Sequence, residues 1–263
     1  MKYLLFPFRF IWRLWFYFLM ITSVLLMVPL LLVLLSDEKY YNTFWKLMRV
    51  WSFLLIYGMG FSLKIDKKQK TDPKKSYMFI ANHASLLDPW IMIAMNKNPM
   101  LFVGKKELVK LPIFGFFYKK AVVMVDRSDP KSRKEVYARI KKRLDSGLSI
   151  AIFPEGLVPT ENVVLAPFTN GAFSLAIEYQ MPIVTQVYYD AKRLFSWDFF
   201  KGRPGVFRVK QLQFTETKGL KNLDRVALKE QSFNLIYNEL LKDKRYMKDT
   251  NRPNNEREFK SPV

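Results

Sequence analysis

One histidine is the whole imidazole content of this 263-residue chain, so any imidazole proton transfer runs through His83. It follows the apolar run 77–81 and Asn82, and a carboxylate stands five residues on, at Asp88. Such a pair can form a base and its orienter, the carboxylate accepting from one ring nitrogen while the other takes a proton. The same residues also read as a helix start, with Asp88 as N-cap, Pro89 at the first helical position and Trp90, Ile91 and Met92 continuing inward. The two roles are compatible, because a capping aspartate is held in place. A second carboxylate, Glu155, follows the strand-like run 150–153 and Pro154, and precedes Gly156. A glutamate there can hold a polyol hydroxyl while the glycine permits close backbone approach; taken alone, the segment also reads as a turn.

Composition removes other chemistries. With no cysteine there is no disulfide framework, thiolate nucleophile or thiol-ligated zinc, and a single histidine excludes HExxH sites, so no metal site is expected. Gly147-Leu148-Ser149 lacks the second glycine of a nucleophile elbow, which disfavours a serine intermediate.

Short apolar runs alternate with helix-sized segments from residue 64 onward. Candidate strands are 77–81, 101–104, 122–125, 149–153, 183–189 and 206–214, and two helices stand out. One is capped at Ser128-Asp129-Pro130, carries Val136, Ile140 and Leu144, and closes at Gly147; the other runs over 222–241 with an apolar stripe at Val226, Phe233, Ile236, Tyr237, Leu240 and Leu241. Beyond Lys242 the pattern dissolves into charge. The expected fold is α/β, a mixed sheet flanked by helices and preceded by an N-terminal membrane-embedded helical motif. The segments expected are 1–63 for that motif, 64–245 for the α/β domain and 246–263 for a flexible polar tail.

The membrane reading rests on 14–36, 23 residues without a charge, long enough to cross about 30 Å of hydrocarbon. Trp12, Trp15, Phe16 and Tyr17 suit a headgroup interface, and Pro29 suggests a kink. Lys2, Arg9 and Arg13 before the run, with Asp37 and Glu38 after it, place the N-terminus in the cytoplasm. A second uncharged stretch, 50–63, contains Gly58 and Gly60 and is read as an interfacial or re-entrant helix that returns the chain to the side it came from.

The formal net charge is +20, and residues 97–145 alone hold 14 Lys or Arg against 5 Asp or Glu. Such a surface attracts anionic headgroups and phosphate-bearing or acidic donors, although positive-inside retention of a membrane protein explains it equally. A basic, non-catalytic membrane-tethered binding protein is a remote alternative. No nucleic-acid partner is expected, because the basic residues are not interleaved with aromatics in a known module.

Taken together, the blocks resemble the glycerolipid acyltransferase family, which includes lysophosphatidic acid acyltransferase, over roughly residues 65–215. Asn82-His83 with Asp88 looks like its NHxxxxD block, and Lys105-Lys106-Glu107-Leu108 with Pro112 and Gly115 looks like the stretch that follows. Residues 122–127, ending in Arg127, are similar to the second block, Phe153-Pro154-Glu155-Gly156 to the third, and Met181-Pro182-Ile183-Val184 to the fourth. The main departure is Leu157-Val158, where the family usually has Thr-Arg.

The resemblance implies catalytic roles for His83 and Asp88. It implies substrate binding by Asn82, by Lys105 and Arg127 toward the acceptor phosphate, and by Glu155 with Gly156 toward its glycerol part. It implies transfer of a fatty acyl group from acyl-CoA or acyl carrier protein to the free hydroxyl of 1-acyl-glycerol-3-phosphate, giving phosphatidic acid, with no cofactor. The alternative is another lysolipid acceptor, such as a lyso-aminolipid, which the missing Thr-Arg encourages. Both place the catalytic domain at a membrane, on its cytoplasmic face.

Overall fold

The computed structural model describes residues 5–105, 109, 114–125, 140–141, 143–160 and 162–250. Within them a seven-stranded sheet has the order β1-β7-β6-β2-β5-β3-β4. The strands are β1 (Phe61–Lys67), β2 (Met78–Ala81), β3 (Met100–Lys105), β4 (Val122–Val125), β5 (Ser149–Ile152), β6 (Ile183–Tyr188) and β7 (Gly205–Gln211). Strands β2 to β6 are parallel to one another, and β7 joins β6 antiparallel with β1 parallel to it, so the sheet is mixed. The central strands β2, β5 and β6 are buried at every position, which is why they read as unbroken apolar runs rather than alternations.

Helices α1 (Leu5–Leu34), α2 (Tyr41–Gly58), α3 (Asp88–Met95), α4 (Phe114–Ala121), α5 (Gly171–Glu178), α6 (Ala191–Leu194), α7 (Arg225–Leu241) and α8 (Lys244–Asp249) complete the described fold. The β2–α3–β3 crossover moves along the sheet one way and β5–α5–β6 moves back the other way. Right-handed connections therefore put α3 and α5 on opposite faces. Helix α2 packs on α3 and α7 packs on α5, giving three layers.

Strand β1 begins at Phe61, so the stretch 50–63 is not one interfacial element. Its helical part belongs to α2, which contains Lys46 and Arg49 and buries Tyr41, Phe44, Trp45, Met48, Trp51, Leu55 and Ile56 at helical spacing. The Tyr41 hydroxyl donates to the Met100 carbonyl at 2.9 Å, and the Trp51 and Trp90 rings meet edge-on at 4.4 Å. Gly60, at φ +76°, makes the turn into the strand.

Helix α1 runs antiparallel along α2. The Trp51 indole donates to Ser23 Oγ (2.7 Å), Trp15 to the Gly58 carbonyl (2.8 Å) and Trp12 to the Met59 carbonyl (3.1 Å). The helix continues unbroken through Pro29. It is long and apolar enough to cross a membrane, and most of its surface faces outward. Two residues expected at the headgroups lie elsewhere: Trp12 and Phe16 are buried in the core, and the Arg13 guanidinium is buried against the loop after α6.

The chain beyond Lys242 also departs from expectation. Asp243 caps α8 by accepting from the Tyr246 N–H (2.8 Å) and holds Arg208 at 2.5 Å. Tyr246 is 2 % exposed and donates to the Val164 carbonyl at 2.7 Å. Residues 246–250 are thus part of the domain, docked by one aromatic side chain that charge-dominated surroundings disguise. Of the helix expected from Ser128 onward, residues 126–139 lie outside the described residues; Ile140 is buried, and Gly147 ends the segment at φ +77°. Tyr246→Ala removes a buried ring and one hydrogen bond, and is expected to cost about 3–5 kcal/mol, read as a lowered midpoint in denaturant unfolding of the detergent-solubilised protein.

Candidate active site

The residues singled out from the sequence gather at the carboxyl ends of the parallel strands, where open α/β sheets bind ligands. Asn82 and His83 leave β2, Phe153 to Gly156 leave β5, and Lys105 ends β3 in register with Val125, the last residue of β4. The Lys105 side chain and all of Arg127 lie outside the described residues.

His83 Nδ1 lies 2.8 Å from Asp88 Oδ2. The same oxygen accepts the N–H groups of Ala84 (2.5 Å) and Ser85 (2.7 Å), and Asp88 has no exposed surface. Two backbone amides already make Oδ2 an acceptor, so the bond to the imidazole runs from Nδ1–H to Oδ2 and leaves Nε2 with its lone pair. The ring lies flat on Phe153, with centroids 4.4 Å apart, and its side chain remains 21 % exposed. A fixed tautomer with an accessible basic nitrogen is what a general base requires.

Asp88 does open α3 and Pro89 follows it, yet its carboxylate is not the helix cap. It turns back to the loop 83–85, and the N-cap residue is Leu87, without a side-chain hydrogen bond. The negative charge still sits at a helix N-terminus, which favours it.

Neighbouring groups hold this loop from three sides. The Asn82 amide donates to the Tyr188 carbonyl (3.0 Å) and accepts the Tyr188 N–H (2.8 Å), tying the end of β2 to the end of β6. That residue, expected at the substrate, is buried and engaged with backbone. Ser85 Oγ donates to the Phe195 carbonyl at 2.7 Å. Glu155 is turned inward as well: its two oxygens accept the N–H groups of His83 (2.6 Å) and Ala166 (2.8 Å), clamping the histidine loop to the segment before α5. Gly156 adopts φ +71° in the turn closed by its N–H on the Phe153 carbonyl. Leu157, where the resembling family carries threonine, is exposed.

Sequence reasoning missed Ser85, the Phe153 stack and the Ala166 amide. Phe153 opens the third motif block and was within reach, whereas nothing at Ala166 distinguishes it in sequence. Among the described residues, no group of three or more His, Asp and Glu side chains could hold a metal ion.

This arrangement sets a buried carboxylate against a partly exposed imidazole at the carboxyl edge of a mixed α/β sheet. Residues 62–189 match the family model described as Acyltransferase. A 1-acyl-sn-glycerol-3-phosphate acyltransferase of Limnanthes douglasii is 31% identical over 167 residues, covering 62% of this chain and 55% of that protein. The beta form from Homo sapiens is 28% identical over 179 residues, 67% of this chain and 63% of that protein. The chain thus spans between about half and two-thirds of the length of these curated relatives. The crystal structure of a 1-acyl-sn-glycerophosphate acyltransferase, PlsC, from Thermotoga maritima has the same fold, with a TM-score of 0.74 at 16% identity, covering 92% of this chain and 97% of that one. By these matches residues 62–189 resemble acyltransferases, and the chain has the fold of PlsC.

Burial pushes the Glu155 carboxyl up from 4.5 to about 7, against the opposing pull of the His83 and Ala166 amides, Lys192 and His83. A carboxyl raised in the fold binds its proton more tightly there than in the unfolded chain. Its contribution is therefore complete below pH 4.5 and is lost as the pH rises to about 7, a span worth about 3 kcal/mol. The expected outcome is a thermal midpoint that falls across that interval in the native protein. In Glu155→Gln the profile flattens over the same interval, with about 1–3 kcal/mol already lost at pH 5 because one of the two amides loses its acceptor.

Proposed function

We propose that the protein transfers a fatty acyl group from a thioester donor, acyl-CoA or acyl carrier protein, to the free hydroxyl of 1-acyl-glycerol-3-phosphate. The observation that carries this is the His83–Asp88 pair, with its carboxylate sealed from water and its ring partly open. The Limnanthes and human relatives, named for that acceptor, support the substrate class.

In this reading Nε2 of His83 takes the acceptor's hydroxyl proton while the oxygen attacks the thioester carbonyl. The imidazolium so formed is stabilised by Asp88. Collapse of the tetrahedral adduct breaks the carbon–sulfur bond, and the imidazolium returns its proton to the leaving thiolate. The acyl group passes directly between substrates: the chain has no cysteine, and nothing in its sequence forms a nucleophile elbow. Glu155 and Asn82 act through the loop they hold, while Lys105 and Arg127 are assigned to the acceptor phosphate as positive charges. No cofactor enters the scheme.

The outward apolar face of α1 is a membrane-seeking surface. A site held at that surface meets lipid acceptors by lateral diffusion, and soluble donors place it on the cytoplasmic side. The exposed Leu157 in place of a threonine favours a second reading, a lysolipid acceptor with a different headgroup.

The test is acyl incorporation from labelled thioesters into a panel of lysolipids in proteoliposomes. His83→Ala is expected to lower kcat/KM by about a thousandfold or more, and Asp88→Asn by about 10²–10⁴, with folding verified by an unchanged unfolding midpoint for the histidine variant. Incorporation near the native rate in folded His83→Ala would overturn the mechanism.

A further inference from the structure

The segment 195–202 follows α6 and returns to β7, and its exposed tip is aromatic. Trp197 is 60 % exposed and Phe200 39 %. The neighbouring phenylalanines join the apolar exterior of α1: Phe200 stacks on Phe6 at 4.4 Å, and Phe199 meets Phe10 at 5.9 Å and Tyr17 at 6.4 Å.

The segment is held rigidly from the same helix. The Arg13 guanidinium donates to the carbonyls of Ser196, Asp198 (2.9 Å) and Lys201 (3.0 Å), and lies over the Phe195 ring at 3.9 Å. Gly202 closes the segment at φ +113°, where a β-carbon would meet the Leu194 carbonyl oxygen at 2.6 Å. A charged side chain 2 % exposed, with one guanidinium nitrogen, Nη2, set among three carbonyls of one loop, ties the loop to the helix.

Exposed tryptophan and phenylalanine, continuous with an apolar helix face, are the composition of a headgroup-level contact. At its start the segment also touches the catalytic loop, through Ser85 Oγ on the Phe195 carbonyl. We propose that residues 196–201 form a second bilayer contact beside α1, with the ring of Trp197 at the headgroup–acyl boundary, so that the depth of this loop fixes the height of His83 above the lipid. Two contacts fix a tilt that one helix, free to roll about its axis, does not. The placement stands on geometry alone; its kinetic consequence rests on the acyl-transfer reading above.

Because the chain has no cysteine, single labels are introduced without background. Trp197→Cys, Leu26→Cys on the exposed face of α1 and Glu230→Cys on α7, across the sheet, each carry an environment-sensitive fluorophore in proteoliposomes of phosphatidylglycerol and phosphatidylethanolamine. The expected result is a blue-shifted label at 197 quenched most strongly by headgroup-level nitroxide lipids, a label at 26 quenched from deeper, and a label at 230 that stays in water. A label at 197 matching that at 230 while the label at 26 is immersed would overturn the proposal. In the same vesicles, Trp197→Ser is expected to raise KM about tenfold for a bilayer-embedded lysophosphatidate, leaving kcat and the KM for a short-chain soluble acceptor unchanged. Equal KM changes for both acceptors would overturn the kinetic part. Absence of transfer in the native protein would overturn the functional reading, while the depth measurement still decides the contact.

Discussion

Asp88 has no surface in contact with solvent, and a carboxylate so placed must collect donors or give up its charge. It collects three on one oxygen: an imidazole and two consecutive amides of its own loop. Those amides hold the carboxylate independently of the histidine. The rest of the site follows from the need to hold residues 82–88 still. Asn82 binds them to β6, Ser85 to the segment after α6, and Glu155 to β5 and the approach to α5. Each partner comes from a different part of the chain, so the loop cannot shift without breaking bonds in several elements at once.

The two buried carboxylates illustrate how environment separates roles. Asp88 faces an imidazole and two amides at the start of a helix. Glu155 meets only two amides at close range, and burial leaves it near its protonation point at neutral pH. Both motifs place a carboxylate just after a strand, yet only one carboxylate contacts the histidine ring. The other contacts the backbone of the histidine itself and so holds the loop.

Much of this was legible in the sequence, and the limits have physical causes. Strands β2 to β6 stand where their apolar runs predict, because buried parallel strands need continuous apolar side chains, and β7 alternates buried Phe207 and Val209 with Arg208 and Lys210. The His83–Asp88 spacing was readable because it is local. Strand β1 was missed although Phe61, Leu63 and Ile65 alternate with Ser62, Lys64 and Asp66; grouping residues by absence of charge hid a period of two behind the end of α2. The same rule split α2, since Lys46 and Arg49 interrupt an apolar run without interrupting a helix. Arg13 reads as a topogenic charge in sequence because nothing local shows that three carbonyls almost two hundred residues away will surround it. The inward orientation of Asn82 and Glu155 was likewise invisible, since a motif shows which residue types are present and only the fold shows which way they turn.

The five-residue interval between the histidine and the aspartate has a geometric origin. After β2 ends, the chain needs one residue to leave the sheet, Asn82, and its amide anchors that exit to the neighbouring strand. The next residues turn back so that the amides of Ala84 and Ser85 point toward a common centre, and the Asp88 N–H closes the turn on the Ser85 carbonyl. The first side chain able to reach that centre from the new helix is the residue at its start, position 88, with Pro89 pre-set for helical φ behind it. An interval shorter by one would put the carboxylate at position 87, the N-cap, ahead of the residue whose side chain turns back to that centre. An interval longer by one would point it about 100° around the helix, away from the imidazole. The spacing therefore encodes one turn of loop and the first residue of a helix, and the chemistry of the pair depends on both.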